Sequence, residues 1–355
     1  MAGLVRYSNN DIVNDTAKVV TSTWSNNTNN LITAFTSSTQ ASYGSATSSG
    51  AFFIEVYDKD PQTDTTAEVQ YAVAYGHKAG SGSLDFTNDT GAKGNSPSKV
   101  IYNQYRQLIY GDEASNFSFN GYTPDDIYII NWERARFKHN LKPGTLNLHL
   151  ISGSGTGSSG NTIHLTDDSL TSSGSSTITN AGRQFNIVSG SNGVMLGSNL
   201  TQVTDSGSYG FFYPDSGFAV LNPSALRNNG TTLNALGLNS LNPGTSQNTD
   251  DKNHEKLFQA ISHSKYFIID SEEKVSSQYY FTRAINSEFN YTTNPSFIDT
   301  QGNLNFTSMV DNPNTYITTV GLYNDSGDLV AVAKLSQPVS KDFTKEALIR
   351  VKLDY

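Results

Sequence analysis

Residues Thr315 to Tyr355 read TYITTVGLYNDSGDLVAVAKLSQPVSKDFTKEALIRVKLDY. Two β-rich runs, Tyr316 to Tyr323 and Leu329 to Leu335, flank Asn324-Asp325-Ser326-Gly327. Asn and Asp side chains bond their own backbone, and Gly accepts positive φ, so this tetrapeptide predicts a hairpin turn. Pro338 predicts a break. The run that follows alternates, with Ile349, Val351, Leu353 and Tyr355 on one face and Arg350, Lys352 and Asp354 on the other. A terminal strand of this kind is expected to be built into a sheet, so that the C-terminus is covered by core or by assembly.

Working outward, the composition points the same way. Charged residues make up only 15% of the 355-residue chain, the net charge is -9, and much of the polarity comes from Ser, Thr, Asn and Gly. Aromatic residues reach 11%, with 19 Tyr, which separates the chain from disordered sequences. Strand-forming aromatics among turn residues predict a mainly β protein with a few short helices, arranged as β-sandwich or meander domains and ending in a hairpin plus a final strand. Mild acidity argues against nucleic acid as a partner. The chain has no cysteine, which removes disulfides and thiolate metal sites. The opening MAGLVRYSNNDIV lacks the apolar core of a secretory signal, and no run approaches the ~20 apolar residues of a membrane helix. A soluble protein folded in a cytoplasm is expected.

Four segments are expected along the chain. Residues 1–50 are polar with scattered apolar groups and read as an extended N-terminal arm that orders on a neighbouring subunit, or as short strands packed on their own domain. Residues 51–144 read as an α+β domain: strands at Ala51 to Tyr57 and Val69 to Tyr75, then a helix from Pro97 to Tyr110. Ser96 stands where a cap belongs, Pro97 suits a first turn, and Gly111 ends the helix. Val100, Ile101, Tyr105, Leu108 and Ile109 supply its apolar stripe. Residues 145–250 form a β-rich domain of short strands separated by Gly/Ser turns, closing in a long polar loop from residue 227. Residues 251–355 form a C-terminal β-domain, with a short helix near Glu255 to Ser262 and strands at Tyr266 to Asp270 and Gln278 to Ala284.

Residues Ile127 to His139, IYIINWERARFKH, show strand alternation. Ile127, Ile129, Ala135 and Phe137 would share one face; Tyr128, Ile130, Trp132, Arg134, Arg136 and Lys138 would share the other. The second face grades from aromatic to cationic. Trp132, Arg134, Arg136 and Lys138 are therefore candidate interface residues facing an acidic neighbour, the alternative being a solvated strand end.

Chemical motifs are sparse. Gly155-Thr156-Gly157-Ser158-Ser159-Gly160 matches the dinucleotide fingerprint in letters, but a strand-like run follows it where a helix is required. His149 and His164 are placed to meet across a hairpin, too few ligands for a metal centre. Asp58-Lys59-Asp60 and Asp167-Asp168 read as acidic turn residues rather than calcium loops. No catalytic residue, cofactor or metal is expected.

Four stretches together resemble a known family: VIYNQYRQLIYGD at residues 100–112, DDIYIINWERARFKHNLKPG at 125–144, YGFFYPDSGFAVLNP at 209–223, and FNYTTNPSF at 289–297 with ITTVGLYNDSGDLVAVAKLSQP at 317–338. They resemble a virion structural protein of T-even-like cyanophages, the contractile-tailed myoviruses of marine cyanobacteria. The final third is also similar to the C-terminal end of a baseplate wedge subunit. The resemblance implies a structural, non-enzymatic part of the virion, in the contractile-tail baseplate or its periphery. Its partners would be other tail and baseplate proteins in a symmetric multi-copy assembly, without nucleic acid or membrane insertion. A glycan-binding tail fibre or adhesin, a neck or head-associated part, and a tail-associated depolymerase are the competing expectations.

Overall fold

The computed structural model describes residues 5–36, 53–82, 96–151, 162–171, 176–196, 208–226, 253–292 and 294–355. The first strands are β1 (Ile12–Ser22), β2 (Phe53–Tyr57) and β3 (Val69–His77), followed by helix α1 (Pro97–Tyr110) and β4 (Asp126–Trp132). Next come β5 (Asn140–Leu141), β6 (Asn147–Ile151), β7 (Thr162–Asp167), β8 (Thr177–Thr179), β9 (Gly182–Ser191) and β10 (Val194–Met195). The hairpin β11 (Gly210–Tyr213) and β12 (Phe218–Leu221) leads into the short α2 (Pro223–Leu226). Helix α3 (Asn253–Ser264) precedes β13 (Phe267–Ile268) and β14 (Asp270–Ala284). The chain closes with α4 (Ser308–Asp311), β15 (Thr315–Tyr323), β16 (Leu329–Lys341) and β17 (Ala347–Asp354). The protein is mainly β, as its composition predicts.

The chain divides into two compact units, Val19–Glu273 and a second made of Met1–Lys18 with Lys274–Tyr355. The breaks expected after residues 50, 144 and 250 do not follow this packing. One sheet, ordered β13-β6-β7-β9-β11-β12-β4-β3-β2, takes strands from both sides of residues 144 and 250. Composition shifts mark loops, whereas pairing follows hydrogen bonding irrespective of chain order.

In the larger unit this sheet is buried on both faces. Tyr71, Val73, Tyr128, Ile130, Trp132, Ala219 and Leu221 point into one apolar cluster. Ala74, Ile127, Ile129, Phe218 and Val220 point into the other. The first is covered by α2, α3, Trp24 and Leu31, the second by α1 with Phe117 and Phe119. A strand buried on both sides reads as a continuous apolar run, which explains DIYII in β4. Helix α1 has the predicted bounds and ends on Gly111 at φ 76, whose N–H donates to the Gln107 carbonyl. Its buried stripe is Ser98, Ile101, Tyr102, Tyr105, Arg106 and Ile109, so Val100 and Leu108 face outward instead of inward. Ser96 holds the cap position, but its hydroxyl donates to the Gly80 carbonyl. The helix packs tightly on β3: a Cβ at Gly76 would lie 2.9 Å from the Tyr102 backbone nitrogen.

Residues 1–50 are not a free arm over the part described. Strand β1 pairs with β14. Trp24 is 2% exposed, and its indole Nε1 donates to the Phe267 carbonyl at 2.9 Å. Residues 37–50 lie outside the described residues, as do the Gly155–Gly160 motif and the loop expected over 227–250.

In the smaller unit, β14 and β17 pair antiparallel from Ser277 opposite Asp354 to Ala284 opposite Ala347. The β15–β16 hairpin lays Val320 and Leu322 against Ile349 and Val351, a sheet-on-sheet contact. Tyr355, expected on that buried face, is 72% exposed; only its backbone continues the ladder, to Ser276. Pro338 does not end its strand. Strand β16 runs on to Lys341 across a bulge, its register with β15 jumping from Val339 opposite Ile317 to Lys334 opposite Thr319.

The turn between β11 and β12 yields a first prediction. Gly217 sits at φ +73, and a Cβ there would fall 2.3 Å from the Phe137 ring. Gly217→Ala is expected to destabilise the larger unit by more than about 1 kcal/mol, because both backbone and ring must shift. A urea midpoint equal to that of the parent chain would contradict this.

Candidate functional site

The cationic strip does not form as a strand face. Strand β4 ends at Trp132, and Arg134–Arg136 make a single 3-10 turn. Trp132 is buried in the core, and Ala135, expected beside Phe137, is exposed while Phe137 is buried. The three cations turn to different partners. Arg134 curls over the Phe137 ring at 4.6 Å and donates to the carbonyls of Phe137 and Lys138. Arg136 pairs with Glu68 at 2.6 Å and donates to Ser25 Oγ at 2.6 Å. The Ser25 hydroxyl and then Arg136 hold the Glu68 carboxyl below the usual carboxylate range. Lys138 reaches Glu273 at 2.7 Å. Period-two alternation had placed Arg134, Arg136 and Lys138 together; the turn after Trp132 sends each one to a partner within its own unit.

His149 and His164 do meet, opposite each other on β6 and β7. Their rings stack at 3.4 Å, and Tyr266 stacks on His149 at 3.9 Å. No cluster of three or more His, Asp or Glu suited to a metal ion occurs among the described residues. Burial, with the His164 ring second, pushes the His149 imidazole down to about 4. A histidine lowered in the fold takes up its proton more readily in the unfolded chain. Stability is therefore full above the ordinary value near 6.5, falls as the pH drops toward about 4, and loses nothing more from this group below that. Discounted for a ring that is only partly buried, the loss is roughly 1–2 kcal/mol. Urea unfolding from neutral pH downward should show this slope, and His149→Gln should flatten it. An unchanged slope in the variant would assign the acid sensitivity to other groups.

The acidic pairs serve turns. Asp167 accepts the Gly144 N–H at 2.9 Å and the Ser169 N–H at 3.1 Å, yet burial raises its carboxyl above the ordinary value. Asp168 accepts the backbone and side-chain amides of Asn186 at 2.9 and 2.8 Å. Asp58 accepts the Glu68 N–H, and Asp60 the Gln62 N–H.

A groove of about 1150 Å³ lies within the smaller unit. Seven of the nine residues of β15 line one wall, among them Tyr316, Thr319 and Tyr323. Thr282 to Ala284, Tyr7 and Phe289 contribute to the rest. The Tyr7 hydroxyl meets the Thr282 hydroxyl at 2.5 Å, and Tyr7 packs edge-on to Tyr280. Arg6 and Asp325, both almost fully exposed, stand 3.9 Å apart in the lining. The strand and the turn are legible in the letters but the groove is not, because Tyr7 and Thr282 are distant in the chain.

No protein-family model matches the chain. No curated protein and no solved structure matches it either.

Proposed function

We propose that this chain is a structural subunit of a tailed-phage virion, in the contractile-tail baseplate or its periphery, acting by protein–protein assembly and not by catalysis. The observation that carries the reading is the wording of the four stretches that resemble virion proteins of T-even-like cyanophages. The fold is compatible with it. Three of those stretches supply α1, β4 and the β11–β12 hairpin, which frame the core of the larger unit. The fourth supplies most of β15, which borders the groove of the smaller one, and most of β16.

The polar surface fits the same reading. Subunits that fold separately and then assemble bury surface in symmetric contacts, where Tyr offers ring area together with a hydroxyl that can still be satisfied. Exposed Tyr291, Tyr316, Tyr323 and Tyr355 are available for such contacts. The test is a purified tailed particle from a host whose infecting phage encodes this chain. Peptide mass spectrometry should find the chain at a fixed ratio to the sheath protein, and a particle reconstruction should place it below the sheath. Particles that lack it, or in which it lies only in the head, would overturn the assignment.

A further inference from the structure

We propose that the outer edge of β15 pairs with β15 of a second copy of this chain, joining two hairpins into one four-stranded antiparallel sheet. The observation is a difference among open strand edges. Among the described residues β15 pairs only with β16, so its other edge is left without a strand. Proteins blunt such edges with charge, proline or a bulge. Strand β16 carries Lys334, Pro338 and the bulge; β17 carries Arg350, Lys352 and Asp354; β1 carries Asp15 and Lys18. Strand β15, TYITTVGLY, has none of these devices, and the groove runs along it.

The occupant follows from charge and register. Copies of a chain with net charge -9 repel in general, and an uncharged strand offers a place where they meet without like charges opposed. The groove is lined by two cations, Arg6 and Arg283, and one anion, Asp325, so a second copy meets both signs. Register is regular from Thr319 to Leu322. An antiparallel pair centred on Gly321 sets Val320 opposite Leu322 of the other copy, and Thr319 opposite Tyr323. Val320 and Leu322 are the two buried residues of β15, so this register continues the apolar row from one copy to the next. An isologous contact of this kind closes on itself as a dimer.

The full chain should show a concentration-dependent monomer–dimer equilibrium by sedimentation. Thr319→Lys with Tyr323→Lys sets lysine opposite lysine at two symmetric places and should weaken the dimer by about tenfold. Thr319→Lys with Tyr323→Glu sets opposite charges there and should restore it. Val332→Lys adds a charge to the exposed face of β16, away from the edge, and should leave dimerisation unchanged. Circular dichroism melts establish that each variant is folded. A parent chain that is monomeric throughout overturns the proposal, as does a dimer that tolerates the double lysine variant. The measurement uses isolated protein, so its failure leaves the virion reading standing, and absence from the virion leaves the dimer standing.

Discussion

Removing Ile349 to Tyr355 is expected to unfold the smaller unit. Six register pairs between β14 and β17 disappear, from Ser277 opposite Asp354 to Thr282 opposite Ile349. Ile349 and Val351 are 7% and 5% exposed, and Leu353 is half-buried. At about 1.5–3 kcal/mol for each fully buried side chain, their loss costs roughly 4–7 kcal/mol. That approaches the ~5–15 kcal/mol stability of an entire domain. Val320 and Leu322 also lose the surface against which the hairpin packs. Hydrogen exchange should show lost protection across residues 315–341, and a protease should cleave there first. Unchanged protection in the truncated chain would mean that β17 is dispensable.

The sequence made the local elements legible where a single period governs them. Pro97 and Gly111 punctuate α1, and its bounds follow. The stripe was displaced because the helix meets β3 at Gly76, and the close approach turns Tyr102 inward. The same limit explains the misreading after Trp132. Alternation persists in the letters IYIINWERARFKH, but both faces of β4 are covered, so burial no longer distinguishes odd from even positions. The strand end was then invisible, and with it the separate destinations of Arg134, Arg136 and Lys138. Pairing across long separations was hidden for a different reason. Nothing in Asn147 to Ile151 announces that Phe267 and Ile268 will lie beside it.

The candidate site was legible in part. Residues 316–323 read as a strand, and their lack of charge is visible in the letters. That this strand has only one neighbour among the described residues is not visible there. An open edge depends on which strands fail to arrive, and the alternation of β17 is equally compatible with pairing to β14 or to the hairpin. The His149–His164 contact was legible because a hairpin is local, whereas Tyr266 on the other side of His149 comes from a distant strand end.

Trp24→Ala should be among the most destabilising single substitutions in the larger unit. The segment around Trp24 is polar, and on composition alone it gains too little by folding on its own domain to offset backbone ordering of ~1–2 kcal/mol per residue. One large side chain changes that balance. Trp24 packs at 5.0 Å from Phe267 and 6.1 Å from Tyr71, and it closes the apolar cluster that also holds Trp132. Truncating it leaves a cavity among aromatic rings and leaves the Phe267 carbonyl without its indole donor. The expected cost is about 3–5 kcal/mol. Trp24→Phe keeps a ring in place but removes the donor, and should cost about 1–3 kcal/mol. The chain has two tryptophans, so either variant leaves Trp132 as a single buried fluorophore for urea unfolding. Hydrogen exchange on the parent chain gives an independent reading, because the Leu31 amide donates to the Phe267 carbonyl at 3.0 Å and should exchange slowly in the isolated protein. Fast exchange there, together with a Trp24→Ala variant as stable as the parent, would return the segment to the status of an unpacked arm.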